Sequence, residues 1–303
     1  MLARLISRFR SVFRGRNAVI LVPMLWLFVL SAVPLLIVLN FSFSEMEIAS
    51  VASIWKWADD ALTIKINLGN YLYFGQDPLY FDTYLSSLKF AAITTLWCLA
   101  LGYPFAYFMA RAQAHLRPML VMLVMLPFWT SFLLRIYAWK TLLVSNGLVN
   151  QLLMALGVIH TPLQMMNTPF SLTIGMVYAY LPFMILPLYA NLVKLDVRLL
   201  EAAADLGASP WKTFWLITVP LSKRGIIAGS MLVFIPAVGE YVIPELLGGP
   251  DTLMIGRVLW DEFFSNNDWP MASAVTIVMI LLILLPITIF NKYNAESKSE
   301  EQA

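Results

Sequence analysis

Apolar residues gather into six long runs, near 18–40, 87–110, 119–143, 170–193, 225–247 and 271–290, parted by shorter polar stretches. A helix needs about 20 apolar residues to cross about 30 Å of hydrocarbon. Each run therefore predicts one transmembrane helix, and the chain reads as an all-α integral membrane protein with a six-helix domain over 18–290. The second, third and fifth runs contain charges or prolines, which a bundle interior tolerates. The first run follows a basic tail, 1–17, and is too long for the apolar core of a signal peptide. With no convincing cleavage site after it, it predicts a retained anchor. The 41–86 stretch is rich in aromatics and acids, so it predicts a small packed cap rather than a linker. Residues 146–159 predict a further amphipathic helix.

One polar interruption has a pattern of its own. In the 195–222 segment, Asp196 predicts the cap of a helix starting at Val197. Leu199, Ala203 and Leu206 share one face of that helix, and Gly207 supplies a left-handed end. Ser209 and Pro210 restart a helix, with Trp211, Phe214, Trp215 and Thr218 on one face and a bend at Pro220. An alanine-rich knob offers little area to lipid but permits close approach by another protein. A second interruption lies inside the fifth run, FIPAVGEYVIPELLGGPD, where Pro236, Gly239 and Pro244 break the helix. The first half would end in unpaired carbonyls, the negative end of its dipole. Half-helix ends of this kind bind cations in transporters.

Composition narrows the possibilities. Of 303 residues 60% are hydrophobic and 13% charged, where a soluble domain carries about 25% charged residues. Such a chain needs membrane lipid as part of its solvent. A net charge of +2 without concentrated basic patches argues against nucleic acid. The lone Cys98 excludes a disulfide framework, and His115 and His160 show no ligand spacing, so neither a metal site nor a cofactor is expected. No G-x-x-x-x-G-K-[ST] phosphate loop, dinucleotide fingerprint, H-E-x-x-H motif or nucleophile–base constellation appears, so the chain is not expected to be an enzyme.

The distribution of charge sets a topology. With both termini cytoplasmic, fourteen Lys and Arg fall on the inner side and three on the outer, Lys56, Lys65 and Arg257. The positive-inside rule favours that arrangement and places 195–222 and the 291–303 tail in the cytoplasm. The outer loops carry ten acids, a face that concentrates cations. Charges within spans are costly and usually functional. Lys89 and Lys140 sit near span ends and can snorkel. Arg135 and Glu240 both fall in the outer half of their spans; they either pair with each other or leave Glu240 to meet a cation. Glu240, Tyr241 and Glu245 lie at or just beyond the break, and Trp129, Tyr178 and Tyr180 offer ring faces to a cation. These are the candidate substrate-path residues.

The pattern Glu201-Ala202-Ala203, three residues, Gly207, nine residues, Ile217, one residue, then Val219-Pro220 resembles the EAA loop of ABC importer permeases, with Val219 where leucine is usual. The resemblance implies a type I ABC importer permease fold and a coupling helix that docks in a separate ATPase. Glu201 would meet the ATPase surface, Ala202 and Ala203 would pack into it, and Gly207 would turn the chain, with Ile217 and Pro220 completing the motif. The runs NLGNYLYFGQDPLYFDTYLSSLKFA, LPFWTSFLLRIYAWKTLL and SMLVFIPAVGEYVIPELLGGPDTLMIGRVLWDEFFSNNDWPMASA resemble the polyamine permeases, most nearly the putrescine type. That resemblance implies a bacterial cytoplasmic (inner) membrane location and four partners: a second related permease, two copies of an ATP-binding subunit, a periplasmic polyamine-binding protein and a small cationic substrate. Two other readings are an ABC importer permease for spermidine, ferric iron, thiamine or sulfate, and a channel or scaffold with no ATPase.

Overall fold

The computed structural model describes residues 16–47, 50–52, 54–58 and 61–300. The tail arginines Arg4, Arg8, Arg10 and Arg14, the acids Asp59 and Asp60, and residues 301–303 lie outside the described residues. Two units make up the chain, one of residues to Gln76 with 262–280, the other of 77–261 with 281–303.

In the first unit a helix runs from Arg16 to Ser42 with outward-facing apolar side chains along most of its length. The stretch after it departs from the all-α expectation. Met46–Glu47 pairs antiparallel with Ser50–Val51, and Trp55–Ala58 pairs with Ala61–Ile64, placing Trp55 opposite Ile64 and Trp57 opposite Leu62. Aromatic and β-branched residues suit a pleated backbone, and this stretch is too polar and too short in apolar residues to form a span. A short helix, Gly69–Gln76, closes back on the end of the first span. Its Asn70 Nδ2 donates to the carbonyls of Ser42 at 3.1 Å and Ser44 at 3.0 Å, and Tyr71 OH donates to Ser42 Oγ at 2.9 Å. The described residues of this stretch up to Gln76 are thus folded rather than an open linker, whereas 78–86, expected in the same cap, belong to the helix Pro78–Arg111.

The second unit has a core of three helices, Pro78–Arg111, Pro169–Leu192 and Lys223–Val238, packed on one another. Phe90, Cys98, Met176, Met184, Leu188, Val233 and Ala237 are buried among them. The first of these helices starts earlier than its apolar run, because Asp77 Oδ1 accepts from Leu79 N at 2.9 Å and Pro78 opens the first turn. Hydropathy finds the oily middle of a span; the cap finds its start. Leu148–Ala155 forms the expected extra helix. It is held by Asn150, whose amide exchanges two hydrogen bonds of 2.9 Å with the backbone of Leu163.

Two predicted spans are bent. The third consists of Arg117–Met125, a 3₁₀ turn at Leu126–Trp129, and Phe132–Leu143. The pieces on either side of residue 130 meet at 84°. Pro210–Leu221 meets Lys223–Val238 at 66°, so the bend falls at Ser222, two residues after Pro220. Among the described residues four helices are long and apolar enough to cross a membrane, or six if each bent pair is one span. Trp269–Glu300 is the last.

The fifth span stops at Val238. Val242–Leu247 follows, then a 3₁₀ turn at Pro250–Thr252, and Ile255–Trp260 returns. The expected row of open carbonyls at the break is covered. Gly256 packs so closely on it that an added Cβ would stand 2.6 Å from the carbonyl oxygens of both Gly239 and Glu240. Backbone cannot yield as a flexible side chain can. Gly256→Ala is therefore expected to cost about 1–3 kcal/mol. The detergent-solubilised protein should unfold at lower temperature, whereas Gly75→Ala, with nothing within 4 Å of the added Cβ, makes no new contact. Equal unfolding temperatures for the two variants would contradict the packing of Gly256 on the break.

Candidate functional site

Two regions carry the candidate residues, one at each end of the Lys223–Val238 helix. At its start lies the 195–222 segment. Asp196 Oδ1 accepts from Arg198 N at 3.0 Å, and the helix proper is Arg198–Asp205, one residue later than the sequence predicts. Gly207 has φ +79°. Gly207 N donates to Ala204 O at 2.9 Å and Ala208 N to Ala203 O at 3.0 Å, a paired closure that requires a left-handed residue between them. Any L side chain at Gly207 is strained. Ser209 caps the next piece, accepting from Lys212 N at 3.4 Å, with Pro210 in its first turn.

The faces of the first of these two short helices differ from expectation. Glu201 and Ala202 are exposed, but Ala203 is buried within this chain. A helix turns about 100° per residue, so Ala202 and Ala203 point in different directions, one outward and one into this chain. Leu199 and Leu206 do not share the inward face of Ala203; both are exposed, Leu206 at 89%. In the second piece Phe214 and Thr218 turn inward while Trp211 and Trp215 are exposed. Trp211 nonetheless stacks on Phe214 at 6.1 Å, and Trp215 meets both rings edge-on, so the three rings form one cluster as the sequence predicts. A π-helical turn runs through Phe214–Thr218, where Val219 N reaches back to Phe214 O. Ile217 is partly covered and Pro220 exposed. Phe214 meets Tyr103 edge-on at 5.4 Å and Tyr107 at 6.2 Å. The hydroxyls of Tyr103 and Ser222 are 2.8 Å apart, buried. The segment is thereby keyed into the Pro78–Arg111 helix, a lock that the sequence pattern did not reveal because its partners lie more than a hundred residues away.

At the other end lies the break. Glu240 neither pairs with Arg135 nor stands free. Its Oε1 accepts from Val242 N at 3.0 Å and Ile243 N at 3.3 Å, and its Oε2 accepts from the buried Tyr180 hydroxyl. The carboxylate caps the Val242–Leu247 helix and compensates its positive end. Arg135 instead lies over the rings of Phe128 and Phe132, 5.3 and 5.7 Å from their centroids, with Nε covered. Phe128 touches Phe183 edge-on at 5.2 Å, and Phe183 stands 6.2 Å from Tyr180. Rings, not a salt bridge, separate the two charges.

Tyr241 stacks face to face on Trp260, 4.4 Å apart and 11° from parallel. Glu245 Oε2 receives Arg257 Nε at 2.8 Å. Tyr180, Glu240, Tyr241 and Glu245 thus gather around one break. Tyr178 does not join them. Two residues along a helix are about 200° apart, and Tyr178 packs edge-on against Trp139 at 5.6 Å. There it lines an apolar groove of about 450 Å³ with Trp97, Leu101 and Phe170. Trp129, 79% exposed on the bent third span, is also apart from the break. Sequence reading missed Arg257 and Trp260 as partners of Glu245 and Tyr241. The signal was present: Gly248-Gly249-Pro250-Asp251 between two short apolar runs is a turn that folds one onto the other. No group of three or more potential metal ligands is found among the described residues.

Residues 98–297 match the family described as "Binding-protein-dependent transport system inner membrane component". The chain is 42% identical over 283 residues to "Spermidine/putrescine transport system permease protein PotB" of Salmonella typhimurium (strain SL1344), covering 93% of this chain and 94% of that one. It is 46% identical over 234 residues to the protein of the same description from Escherichia coli (strain K12), covering 77% and 85%. Among solved structures, a chain of a bacterial ABC transporter involved in the import of the acidic polysaccharide alginate superposes with a TM-score of 0.68 at 16% identity, covering 95% of this chain and 99% of that one. That last likeness concerns the fold alone.

Proposed function

The chain belongs to the family of binding-protein-dependent transport system inner membrane components, transport permeases and not enzymes, and from that premise we propose that it is one permease subunit of an ATP-driven polyamine importer with putrescine as cargo. The observation that carries the cargo is the pair of carboxylates, Glu240 and Glu245, set among Tyr180, Tyr241 and Trp260 at the break in the fifth span. A putrescine molecule has two ammonium groups and four methylenes between them. Carboxylates suit its ends and ring faces its middle; an anion would be repelled. The relatives described as spermidine/putrescine permeases support the same reading.

In this reading the six-helix region over 18–290 supplies half of the passage, with a second related permease supplying the other half. The 195–222 segment faces the cytoplasm and docks on one of two ATP-hydrolysing subunits, and a periplasmic binding protein delivers the cargo to the opposite face. Both termini are cytoplasmic, with 1–17 and 291–303 as tails. Within the coupling segment Glu201 and Ala202 form the open docking face, with Leu206 beside them. Ala203, Ile217 and Pro220 shape the element from behind, and Gly207 fixes its turn. Glu240, Glu245, Tyr241 and Tyr180 line the passage. Trp129 and Tyr178 enter it only through the part built with the second permease.

Two outcomes test this. Glu240→Gln keeps an oxygen for the two backbone donors while removing the charge. Putrescine uptake into vesicles holding the complete complex should fall about tenfold or more, with the complex still assembled; undiminished uptake would dismiss Glu240 from the passage. Gly207→Asp places a side chain at φ +79°. It should leave the chain in the membrane yet lose the ATPase on copurification or uncouple hydrolysis from uptake. Normal copurification together with normal uptake would remove this segment from the coupling role.

A further inference from the structure

The two carboxylates at the break are held in different ways. Glu240 is largely committed: three donors occupy its two oxygens, and two of those donors are backbone N–H groups of a helix start, which leaves acceptor capacity on Oε2 alone. An arriving cation can add there, but one that displaced the backbone donors would undo the helix start. Glu245 is committed to one side chain. Arg257 Nε reaches Oε2 at 2.8 Å, and the two side chains are 34% and 40% exposed. An ion pair so open to its surroundings adds little net stability, because each partner is nearly as well satisfied after parting. Replacing the guanidinium with another cation keeps the carboxylate neutralised, and the released Arg257 side chain, partly exposed already, turns its charge to the surrounding water.

The placement of this pair matters as much as its weakness. Tyr241 and Glu245 are four residues apart, on one face of the segment beginning the Val242–Leu247 helix. Arg257 and Trp260 are three apart on the Ile255–Trp260 helix. The two pairs meet as a two-point clasp, a stacked ring pair at one point and an ion pair at the other. Beneath the clasp, Gly256 covers the carbonyls of Gly239 and Glu240. While the clasp is shut, Tyr241 and Trp260 spend their facing surfaces on each other.

We propose that Arg257 is a resident stand-in for the cargo's ammonium group: it occupies Glu245 while the passage is empty, and an arriving ammonium takes its place and opens the clasp. This rests on the polyamine reading above. Once Arg257 leaves, the faces of Tyr241 and Trp260 become available to the methylenes of the same molecule, whose second ammonium group Glu240 attracts. Arg257 is a positioning residue that acts through Glu245, and Glu245 is the group that touches cargo. The exchange is of one cation for another, with no bond formed or broken covalently.

The test uses the complete transporter in vesicles, with its binding protein, and compares Glu245→Gln, Arg257→Gln, Arg257→Lys and the exchanged pair Glu245→Arg with Arg257→Glu. Uptake of labelled putrescine and ATP hydrolysis without binding protein are both read. Arg257→Gln should keep uptake within about fivefold of the unaltered protein while raising unstimulated hydrolysis, because an exposed pair is all that is lost. Arg257→Lys should hold hydrolysis low. Glu245→Gln should lose uptake about tenfold or more, and the exchanged pair should not restore it. Equal losses from both single changes, with recovery in the exchanged pair, would make the contact a mere brace and overturn the proposal. If the exchanged pair does not assemble, the inequality between the two single changes decides alone. An unaltered complex that takes up no polyamine at all would overturn the cargo reading itself, before any variant is compared.

Discussion

In hydrocarbon a peptide group has no water to turn to, so a helix that breaks inside a span must find other partners for the groups it frees. That requirement organises the region from Gly239 to Trp260. The Glu240 carboxylate takes two N–H groups of the next helix. Gly256 lies over the carbonyls of the break. Ser171 Oγ donates to Leu247 O at 2.7 Å, and Ser87 Oγ accepts from Ile255 N at 2.8 Å. Short polar side chains on the two long neighbouring helices thus secure both arms of the hairpin. With the backbone satisfied in this way, polar and charged groups can stand at the break without unravelling it.

The same helix that ends at the break begins at the 195–222 segment. Lys223–Val238 is 16 residues long, about 24 Å of rigid rod. Its lower end is fixed by the Tyr103–Ser222 hydroxyl pair and by Phe214 wedged against Tyr103 and Tyr107. Its upper end carries Glu240 and, through it, Tyr180. In the proposed reading a displacement of the docked element reaches the carboxylates along one helix, with no chain of loose contacts between. In that reading the work comes from a neighbouring subunit, and one helix supplies the connection it needs.

Much of this was legible in the residues. The apolar runs locate four long apolar helices and the two bent pairs, Gly207 and Ser209-Pro210 locate the turn and restart of the 195–222 segment, and Pro236-Gly239-Pro244 locates the break. These are local signals, each carried by a residue whose own backbone preference decides the outcome. What escaped was relational. Glu240 is polar in an apolar run, which marks it as unusual but cannot say whether a cation, an arginine or a helix start claims it. Periodicity put Leu199 and Leu206 with Ala203, yet only Ala203 is buried within this chain, and an ideal helical wheel does not contain the π-turn at Phe214–Thr218. Arg257 looked like a loop charge until the turn at Gly248-Gly249 folded it onto Glu245. The hairpins between Met46 and Ile64 were hidden because a membrane reading weighs hydropathy and overlooks the β-preference of a short polar stretch.

The central claim is that this chain forms a passage for small cations whose selectivity comes from carboxylates at a capped helix break and whose work comes from a nucleotide-hydrolysing neighbour. The most direct test is uptake of labelled putrescine by the complete complex in sealed vesicles, with ATP supplied only on the side of the 195–222 segment and with unlabelled solutes as competitors. The account predicts uptake that requires that ATP, is suppressed by spermidine, and is untouched by sulfate or thiamine. Uptake that proceeds without nucleotide, or that sulfate suppresses while spermidine does not, would contradict it.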